Sequence, residues 1–188
     1  MFVKGKYSKP ENFIQFLSLK GYIMLKDNLV GIISDTHDNK SSIHKAVEKF
    51  NEAGCALIIH AGDFVAPFTI REFEKLDGDF IGVFGNNDGE IKGLKEQFSH
   101  IGALYNPPHE FTYMEKKFVV MHAPVYLDQY AADETMDVVI YGHLHKIDIR
   151  PGKPFVINPG ECCSWLTGRS TIVVLDIDTM NAELINLD

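Results

Sequence analysis

The chain has 188 residues, of which 45% are hydrophobic and 23% charged, and its formal charge is −8. This length predicts one domain with a substantial apolar core, and no stretch is long and apolar enough for a membrane span. The acidic balance argues against a broad nucleic-acid interface, which needs clustered Lys and Arg. It leaves open a small anionic substrate at a metal site, because bound cations reverse the local field.

The first element in chain order is an extension, predicted over residues 1–23 and followed by a domain predicted over residues 24–188. Within it, Pro10–Lys20 has the pattern of a short amphipathic helix with Phe13, Phe16 and Leu17 on one side. We interpret it as an optional extension packed on the surface. A contact helix for a second subunit is the alternative, and a homodimer is compatible with this sequence.

Two features predict a cytoplasmic protein. The N-terminal residues lack the cleavage site of a signal peptide. The three cysteines, Cys55, Cys162 and Cys163, form an odd set with two adjacent members, which suits a reducing compartment better than a disulfide framework. We interpret Cys162 and Cys163 as shielded structural thiols rather than metal ligands.

Seven apolar runs predict strands, several of them continuously apolar as in sheets covered on both faces. They are Leu29–Ser34, Ala56–His60, Asp79–Phe84, Lys117–Met121, Val138–Tyr141, Phe155–Asn158 and Thr171–Asp176. Helices are predicted over Ser41–Ala53, Pro67–Leu76 and Ile91–Ile101. This order predicts a layered α/β domain whose later strands form a second sheet packed on the first.

The first predicted helix has the clearest periodicity. It places Ile43, Ala46, Val47 and Phe50 on one face and ends at Gly54, which favours a helix C-terminus. The core candidates of the second predicted helix are Phe68, Ile70 and Phe73.

Short polar segments follow five of the predicted strands and contain side chains that bind divalent metals. Asp, Asn and His suit a hard or borderline ion, and ligand sites in open α/β sheets gather at the carboxyl ends of the strands. The sequence therefore predicts one site with enough groups for two metals. The candidate ligands are Asp35, His37, Asp63, Asn86, His122, His143 and His145.

The ordered set Asp35-x-His37, Gly62-Asp63, Gly85-Asn86-Asn87-Asp88, His122 and Gly142-His143-x-His145 resembles the calcineurin-like metallophosphoesterase superfamily. The small size and the segment Asn158–Cys163 are similar to its compact prokaryotic phosphodiesterase branch, particularly archaeal members. The resemblance extends from Leu29 to the C-terminus. It implies a four-layer α-β-β-α sandwich of two mixed β-sheets flanked by helices.

The resemblance also implies a binuclear metal centre. One ion would take Asp35, His37, Asp63 and His145, and the other Asp63, Asn86, His122 and His143, with Asp63 bridging. A hydroxide bridging the two ions would attack phosphorus in line with the leaving group, which makes Asp63, Asn86 and His122 the implied catalytic residues. Mn²⁺ is the first metal to expect, and Ni²⁺, Fe²⁺, Co²⁺, Zn²⁺ and Mg²⁺ are compatible with these ligands.

Three features depart from the family pattern. Asn87 stands where many members have a His, and it cannot supply a proton at neutral pH. Ala123 follows His122 where a Gly is usual, so this loop must run differently if that Gly needs a positive φ. The stretch Pro124–Met136 is shorter than the usual lid. Its tyrosines and acidic residues predict an open acidic rim, with ordinary solvated loop charge as the alternative.

Several other polar residues have predicted supporting roles. Asp88 is expected to hold its loop or a ligand, with an ordinary turn residue as the alternative. Asn39 or Asp38 is expected to cap the following helix or to line the substrate mouth. His60 is interpreted as a packed histidine, and residues 158–160 as a turn bordering the site.

Together these features predict a metal-dependent phosphodiesterase acting on a small phosphodiester, with no membrane or nucleic-acid partner. Lys and Arg are sparse around the motifs, which favours diesters over the more highly charged monoesters. A phosphomonoesterase is the nearest alternative. The other is a non-catalytic metal-binding scaffold resembling the retromer subunit of this fold, for which losses among the seven ligands would be expected.

Overall fold

Two mixed β-sheets lie at the centre of the computed structural model, which describes residues 25–188. The predicted extension over residues 1–23 lies outside this range. In chain order the first sheet contains β1 (Lys26–Ile33), β2 (Cys55–His60), β3 (Asp79–Val83), β4 (Gly102–Tyr105), β10 (Thr171–Asp176) and β11 (Asn181–Asn186). The second contains β5 (His109–Tyr113), β6 (Lys116–Val120), β7 (Val138–Ile140), β8 (Ile147–Arg150) and β9 (Phe155–Pro159).

The sheet topology brings several strand ends to one edge. The first sheet has the order β11-β10-β1-β2-β3-β4, and β1 to β4 run parallel to one another. The second has the order β5-β6-β7-β9-β8, with β6, β7 and β9 parallel. Parallel neighbours end at the same edge of a sheet, so the loops after β1, β2 and β3 meet, as do those after β6 and β7.

Helices cover the outer face of each sheet. They are α1 (Lys40–Ala53), α2 (Ile70–Phe73), α3 (Ile91–Phe98) and α4 (Leu127–Ala131), with 3-10 turns at Pro67–Thr69 and Pro124–Tyr126. No helix within residues 25–188 has the length and apolar character needed to cross a membrane.

Three apolar clusters explain the layering. Alternate residues of a strand face opposite sides, so in β1 Ile33 packs under α1 while Ile32 packs between the sheets with Phe118 of β6. A third cluster joins the outer face of the second sheet, including Val139, to Leu127 of α4. The predicted four-layer α-β-β-α sandwich is confirmed, and both sheets are covered on both faces.

Two predicted details are wrong. The run Thr171–Asp176 belongs to the first sheet, where β10 lies antiparallel between β1 and β11, because it is buried on both faces and fits a central position. The helix predicted over Pro67–Leu76 divides into a 3-10 turn and the short α2. The tighter winding of the turn changes the side-chain periodicity, so Phe68 is half exposed, although Ile70 and Phe73 are buried.

Candidate metal centre

The predicted ligands converge where the two sheets end. The backbone N–H of His143, after β7, donates to Oδ2 of Asp35, after β1, at 3.0 Å. Gly142 permits this approach, because a Cβ there would lie 2.9 Å from Asp35 Oδ2 and would collide with Ser34 Oγ. The loops of both sheets therefore build one site.

A first group of side chains, Asp35, His37 and His145, lies around the carboxylate of Asp35. Nε2 of His145 is 3.5 Å from Oδ1 of Asp35, and Nε2 of His37 is 3.9 Å from the same oxygen. The two imidazoles stack with their ring centres 5.2 Å apart. Three potential metal donors are thus brought together from two separate loops.

A second group, Asn86, His122 and His143, lies around the side-chain oxygen of Asn86. Nε2 of His122 and Nδ1 of His143 are each 2.9 Å from this oxygen. Asp63 stands between the groups, with its Oδ2 3.5 Å from His37 Nε2 and 3.2 Å from His122 Nε2. The structure therefore brings all seven predicted residues together, in the grouping that the family resemblance implies.

The backbone of the ligand loops is unusual. Asp35, His37, Asp63, His143 and His145 have φ values of 52°, 38°, 63°, 68° and 56°, in the left-handed region that favours glycine. Such residues cost about 1–3 kcal/mol each and persist where surrounding structure holds them in place, which is common at ligand sites. Five of the eleven non-glycine residues with positive φ in residues 25–188 are thus among the seven candidate ligands.

The tautomers of two histidines are set by hydrogen bonds at Nδ1, on the side of the ring away from the other candidate ligands. Nδ1 of His122 lies 2.8 Å from the carbonyl oxygen of Ala61, which can only accept, so this nitrogen holds the proton. Nδ1 of His145 lies 2.7 Å from Oε2 of Glu161. Both rings therefore turn Nε2 towards the carboxylates, which leaves this nitrogen as the atom that would bind a metal, as in metal-binding histidines.

These Nε2 atoms lie 3.2 Å from Asp63 Oδ2 and 3.5 Å from Asp35 Oδ1, so a proton or a metal cation shared between nitrogen and oxygen stabilises the arrangement. His37 adds a further nitrogen, since its Nε2 is buried without a hydrogen-bond partner among residues 25–188. Donor atoms of Asp35, Asp63 and His122 lie within 4.8 Å of one another. The residues present therefore fit divalent metal ions.

The pKa values of the two central carboxylates, Asp35 and Asp63, are shifted in opposite directions. Burial dominates at Asp35 and raises its pKa above the ordinary value, although Ser34 Oγ donates to it at 2.6 Å. At Asp63 burial also raises the pKa, but hydrogen bonds from His122 and Asn87 outweigh it and the pKa falls well below the usual value. Asp63 is therefore an anion at neutral pH, as a bridging ligand must be.

The loops that follow β2 and β3 orient Asp63. Asn87 donates to it twice, from its backbone N–H at 2.8 Å and from Nδ2 at 2.7 Å. Asp88 accepts the N–H groups of Gly85 at 2.7 Å and Val65 at 2.7 Å, and that of Asp63 at 3.2 Å. The prediction that Asp88 holds its loop is confirmed.

The segments after β1 and β9 are also tied to the site. Asn39 caps α1 by accepting the N–H of Ser42 at 3.2 Å, which confirms the capping prediction. Nδ2 of Asn158 donates to the carbonyl of Gly142 at 3.0 Å, and Gly160 turns with a φ of 82°. The turn that borders the site therefore supports the loop of His143 and His145.

Glu161 contacts the candidate ligand His145, and reasoning from the sequence missed this contact. Besides holding His145, it accepts hydrogen bonds from Cys163 Sγ, from the backbone N–H groups of Leu166 and Thr167, and from the Thr167 hydroxyl. Burial raises its pKa, but these donors outweigh it and lower the pKa to about 2. No local spacing connects Glu161 with His145, since they are joined only by the fold.

Two further expectations concern residues beside the ligands. His60 is fully buried and stacks on Phe64 with ring centres 3.7 Å apart, so the interpretation as a packed histidine is confirmed. Ala123 has a φ of −73° and a ψ of 141°, an ordinary extended backbone. The loop after His122 thus runs without the positive φ that a Gly would permit.

The cysteines are free and buried in the structure, as expected for shielded thiols. Burial raises the pKa of Cys55 and of Cys162 to about 12 and raises that of Cys163 as well. All three therefore remain protonated at neutral pH in the absence of a metal partner.

Comparison with known proteins agrees with this geometry. Residues 29–180 match the model of the calcineurin-like phosphoesterase superfamily domain. A phosphodiesterase of Methanocaldococcus jannaschii is 43% identical over 155 residues, which cover 79% of this chain and 93% of that protein.

Solved structures of similar fold were also found, and one of them is similar in sequence as well. A structure described as a novel archaeal phosphodiesterase has a TM-score of 0.79 and 39% identity, covering 84% of this chain and 99% of its own. A single-substitution form of the Vps29 protein of Entamoeba histolytica has a TM-score of 0.60 at 18% identity, and the match covers 85% of this chain and 99% of its own. At this identity the likeness shows a shared fold alone. From the family model, the archaeal relative and the two-sheet fold, the chain belongs to the calcineurin-like phosphoesterase superfamily.

Proposed function

We propose that this protein is a phosphodiesterase that uses two divalent metal ions, with Mn²⁺ the first to supply, to hydrolyse small phosphodiesters. The observation that supports it most directly is the convergence of seven complete ligand side chains into two groups that share Asp63. A scaffold that no longer needs metal has no reason to keep all seven. Its archaeal relatives, described as phosphodiesterases, support the same activity.

The seven candidate ligands would hold two ions. The first group with Asp63 would hold one ion, and the second group with Asp63 the other. Bound ions would supply Lewis-acid stabilisation for in-line displacement at phosphorus by water. Asn87 would orient Asp63 through its two hydrogen bonds, and since its amide does not donate a proton to a leaving alkoxide, solvent would supply that proton.

The charges around the site favour a diester. Within the described part of the chain, the ion pairs of Asp35 and Asp63 are all with histidines, and no Lys or Arg lies among them. A monoester dianion gains more than a diester from additional cations beside the phosphate. We therefore propose the diester as substrate and the monoester as the weaker one.

The test is hydrolysis of bis(4-nitrophenyl) phosphate and of 4-nitrophenyl phosphate by protein stripped with a chelator and then supplied with Mn²⁺. We expect activity only after metal is restored, with the diester preferred. A preference for the monoester would assign a phosphomonoesterase. Metal binding without turnover would contradict general diesterase activity and favour a scaffold or a highly selective esterase.

Removing the shared ligand is the sharpest mutational test. Asp63→Ala should reduce metal-dependent hydrolysis by more than about a hundredfold, while the circular dichroism spectrum stays unchanged. Losing a residue that only supports a metal ligand costs up to about a hundredfold, and losing a ligand shared by two ions should cost more. Asp178→Ala, which removes an exposed carboxylate, is the matched control and should behave as wild type. Near-normal turnover by Asp63→Ala would contradict the two-metal assignment.

A further inference from the structure

A thiol lies beside the two histidines of the first group. One donor atom each of His37, His145 and Cys163 lie within 4.8 Å of one another. Donors around one ion, with bonds of about 2.0–2.3 Å, lie at most about 4.6 Å apart. The three donors therefore lie close to the range of separations in which one ion could bind them.

The position of Cys163 is fixed by its surroundings. Its backbone N–H donates to the carbonyl of Asp35 at 3.1 Å, and its carbonyl accepts from Nδ2 of Asn39 at 2.9 Å. The residue is only 1% exposed. The segment that contains the candidate ligands Asp35 and His37 thus also holds the backbone of Cys163, and this places its sulfur close to the site.

Two polar atoms of this cluster lack strong partners. Nε2 of His37 is buried and makes no hydrogen bond within residues 25–188. The thiol of Cys163 donates to Oε2 of Glu161 at 3.1 Å and accepts from the backbone N–H of Trp165, and sulfur is weak in both roles. A metal ion between the histidines would give both atoms a stronger partner.

We propose that Cys163 is an additional ligand to the metal ion of the first group, and that this position therefore selects a thiophilic ion such as Zn²⁺, Fe²⁺ or Co²⁺ over Mn²⁺. On coordination the S–H bond breaks, the sulfur electron pair binds the metal and the proton leaves to solvent. The second group, Asn86, His122 and His143, contains no sulfur, so this selection would not apply to it. This proposal rests on the proposed function only in that it places a metal at the first group.

The experiment is a spectroscopic titration of the full chain, stripped of metal and kept reduced, with Co²⁺. A thiolate bound to Co²⁺ gives a charge-transfer band in the near ultraviolet that nitrogen and oxygen ligands do not give. We expect this band to saturate at one equivalent of bound Co²⁺. In Cys163→Ser the band should disappear and the Co²⁺ affinity of that position should fall by about tenfold or more.

Cys162→Ser is the matched control, because it removes the neighbouring buried thiol outside the cluster, and it should keep the band. Both variants are checked by circular dichroism. A wild-type protein that binds Co²⁺ without the band, or a Cys163→Ser variant that retains it, would overturn the proposal. Diester hydrolysis measured on the same samples separates the two ideas: turnover without the band rejects the thiol ligand alone, and the band without turnover rejects the phosphodiesterase alone.

A second measurement needs no variant. X-ray absorption at the zinc edge of wild-type protein loaded with one equivalent of Zn²⁺ should show one sulfur at about 2.3 Å beside nitrogen and oxygen neighbours. A spectrum fitted by nitrogen and oxygen alone would overturn the proposal even if Cys163→Ser did not fold.

Discussion

The strands and the loops that follow them differ in composition and in backbone geometry. In β1 and β7 the residues before the site, Val30–Ile33 and Val138–Ile140, are buried in extended strands. Directly after them, Asp35 and His143 are polar and adopt left-handed backbone. Stability therefore comes from the sheets and their helices, while the loops give up local stability to aim ligands at one point.

The strongest test of this division is a substitution in the core. Phe98→Ala in α3 removes a fully buried ring that packs on Phe64, Phe73 and Phe80. It should lower the free energy of unfolding by about 3–5 kcal/mol, measured by urea denaturation, while activity per folded molecule stays unchanged. Phe68→Ala removes a half-exposed ring and should cost about 1 kcal/mol. A selective loss of activity in Phe98→Ala would break the division.

Glu161→Gln tests the loop side of the comparison. The substituted amide cannot hold His145 or the Leu166 and Thr167 N–H groups as strongly, because it carries no negative charge and has only one accepting oxygen. Metal affinity should fall by about 10–100-fold in a calorimetric titration. Glu183→Gln, on the exposed strand β11, is the control. Equal affinities in the two variants would show that Glu161 does not position His145.

The same carboxylate predicts a pH dependence of stability. The pKa of Glu161 is lowered to about 2 from its usual 4.5, so its contribution to stability is complete above pH 4.5 and is lost as the pH falls from 4.5 towards 2. Acid titrations of chelator-treated protein should show a steeper loss of stability in this window for wild type than for Glu161→Gln. Parallel curves would reject the contribution.

The smallest expected effect concerns the cap of α1. Asn39→Ala should cost about 1 kcal/mol of stability, because the N–H of Ser42 loses its acceptor. Asn39→Ser keeps a capping oxygen but lacks the amide that donates to the carbonyl of Cys163. Thermal denaturation measures the loss of the cap. A difference in Co²⁺ affinity between Asn39→Ser and wild type, measured by titration, would show how far Asn39 also positions Cys163.

Much of the site could be predicted because its signal is local. Asp35, Asp63 and His143 each follow an apolar run within three residues, so strand, turn and ligand are read from one short segment. The helix ending at Gly54 was predictable for the same reason, since its left-handed C-cap depends on one residue. All seven candidate ligands proved to lie together for this reason.

The remainder depends on contacts that no short segment contains. Glu161 meets His145 at the open end of the β8–β9 hairpin, where Ile147 pairs with Pro159. Cys163 meets His37 only because the segment after β9 lies beside the segment after β1. The strands β4, β5, β8 and β11 were not predicted, because they are short or half exposed and have weak apolar patterns. Their pairing partners, rather than their own sequences, make them strands.

The network around Glu161 has a practical consequence. The chain contains one tryptophan, Trp165, which is 66% exposed on the loop whose Leu166 amide donates to Glu161. One carboxylate thus connects His145 with the backbone next to this indole. If the first group binds a metal, we expect the fluorescence of Trp165 to change as metal is added, which would make this tryptophan an optical indicator of metal binding.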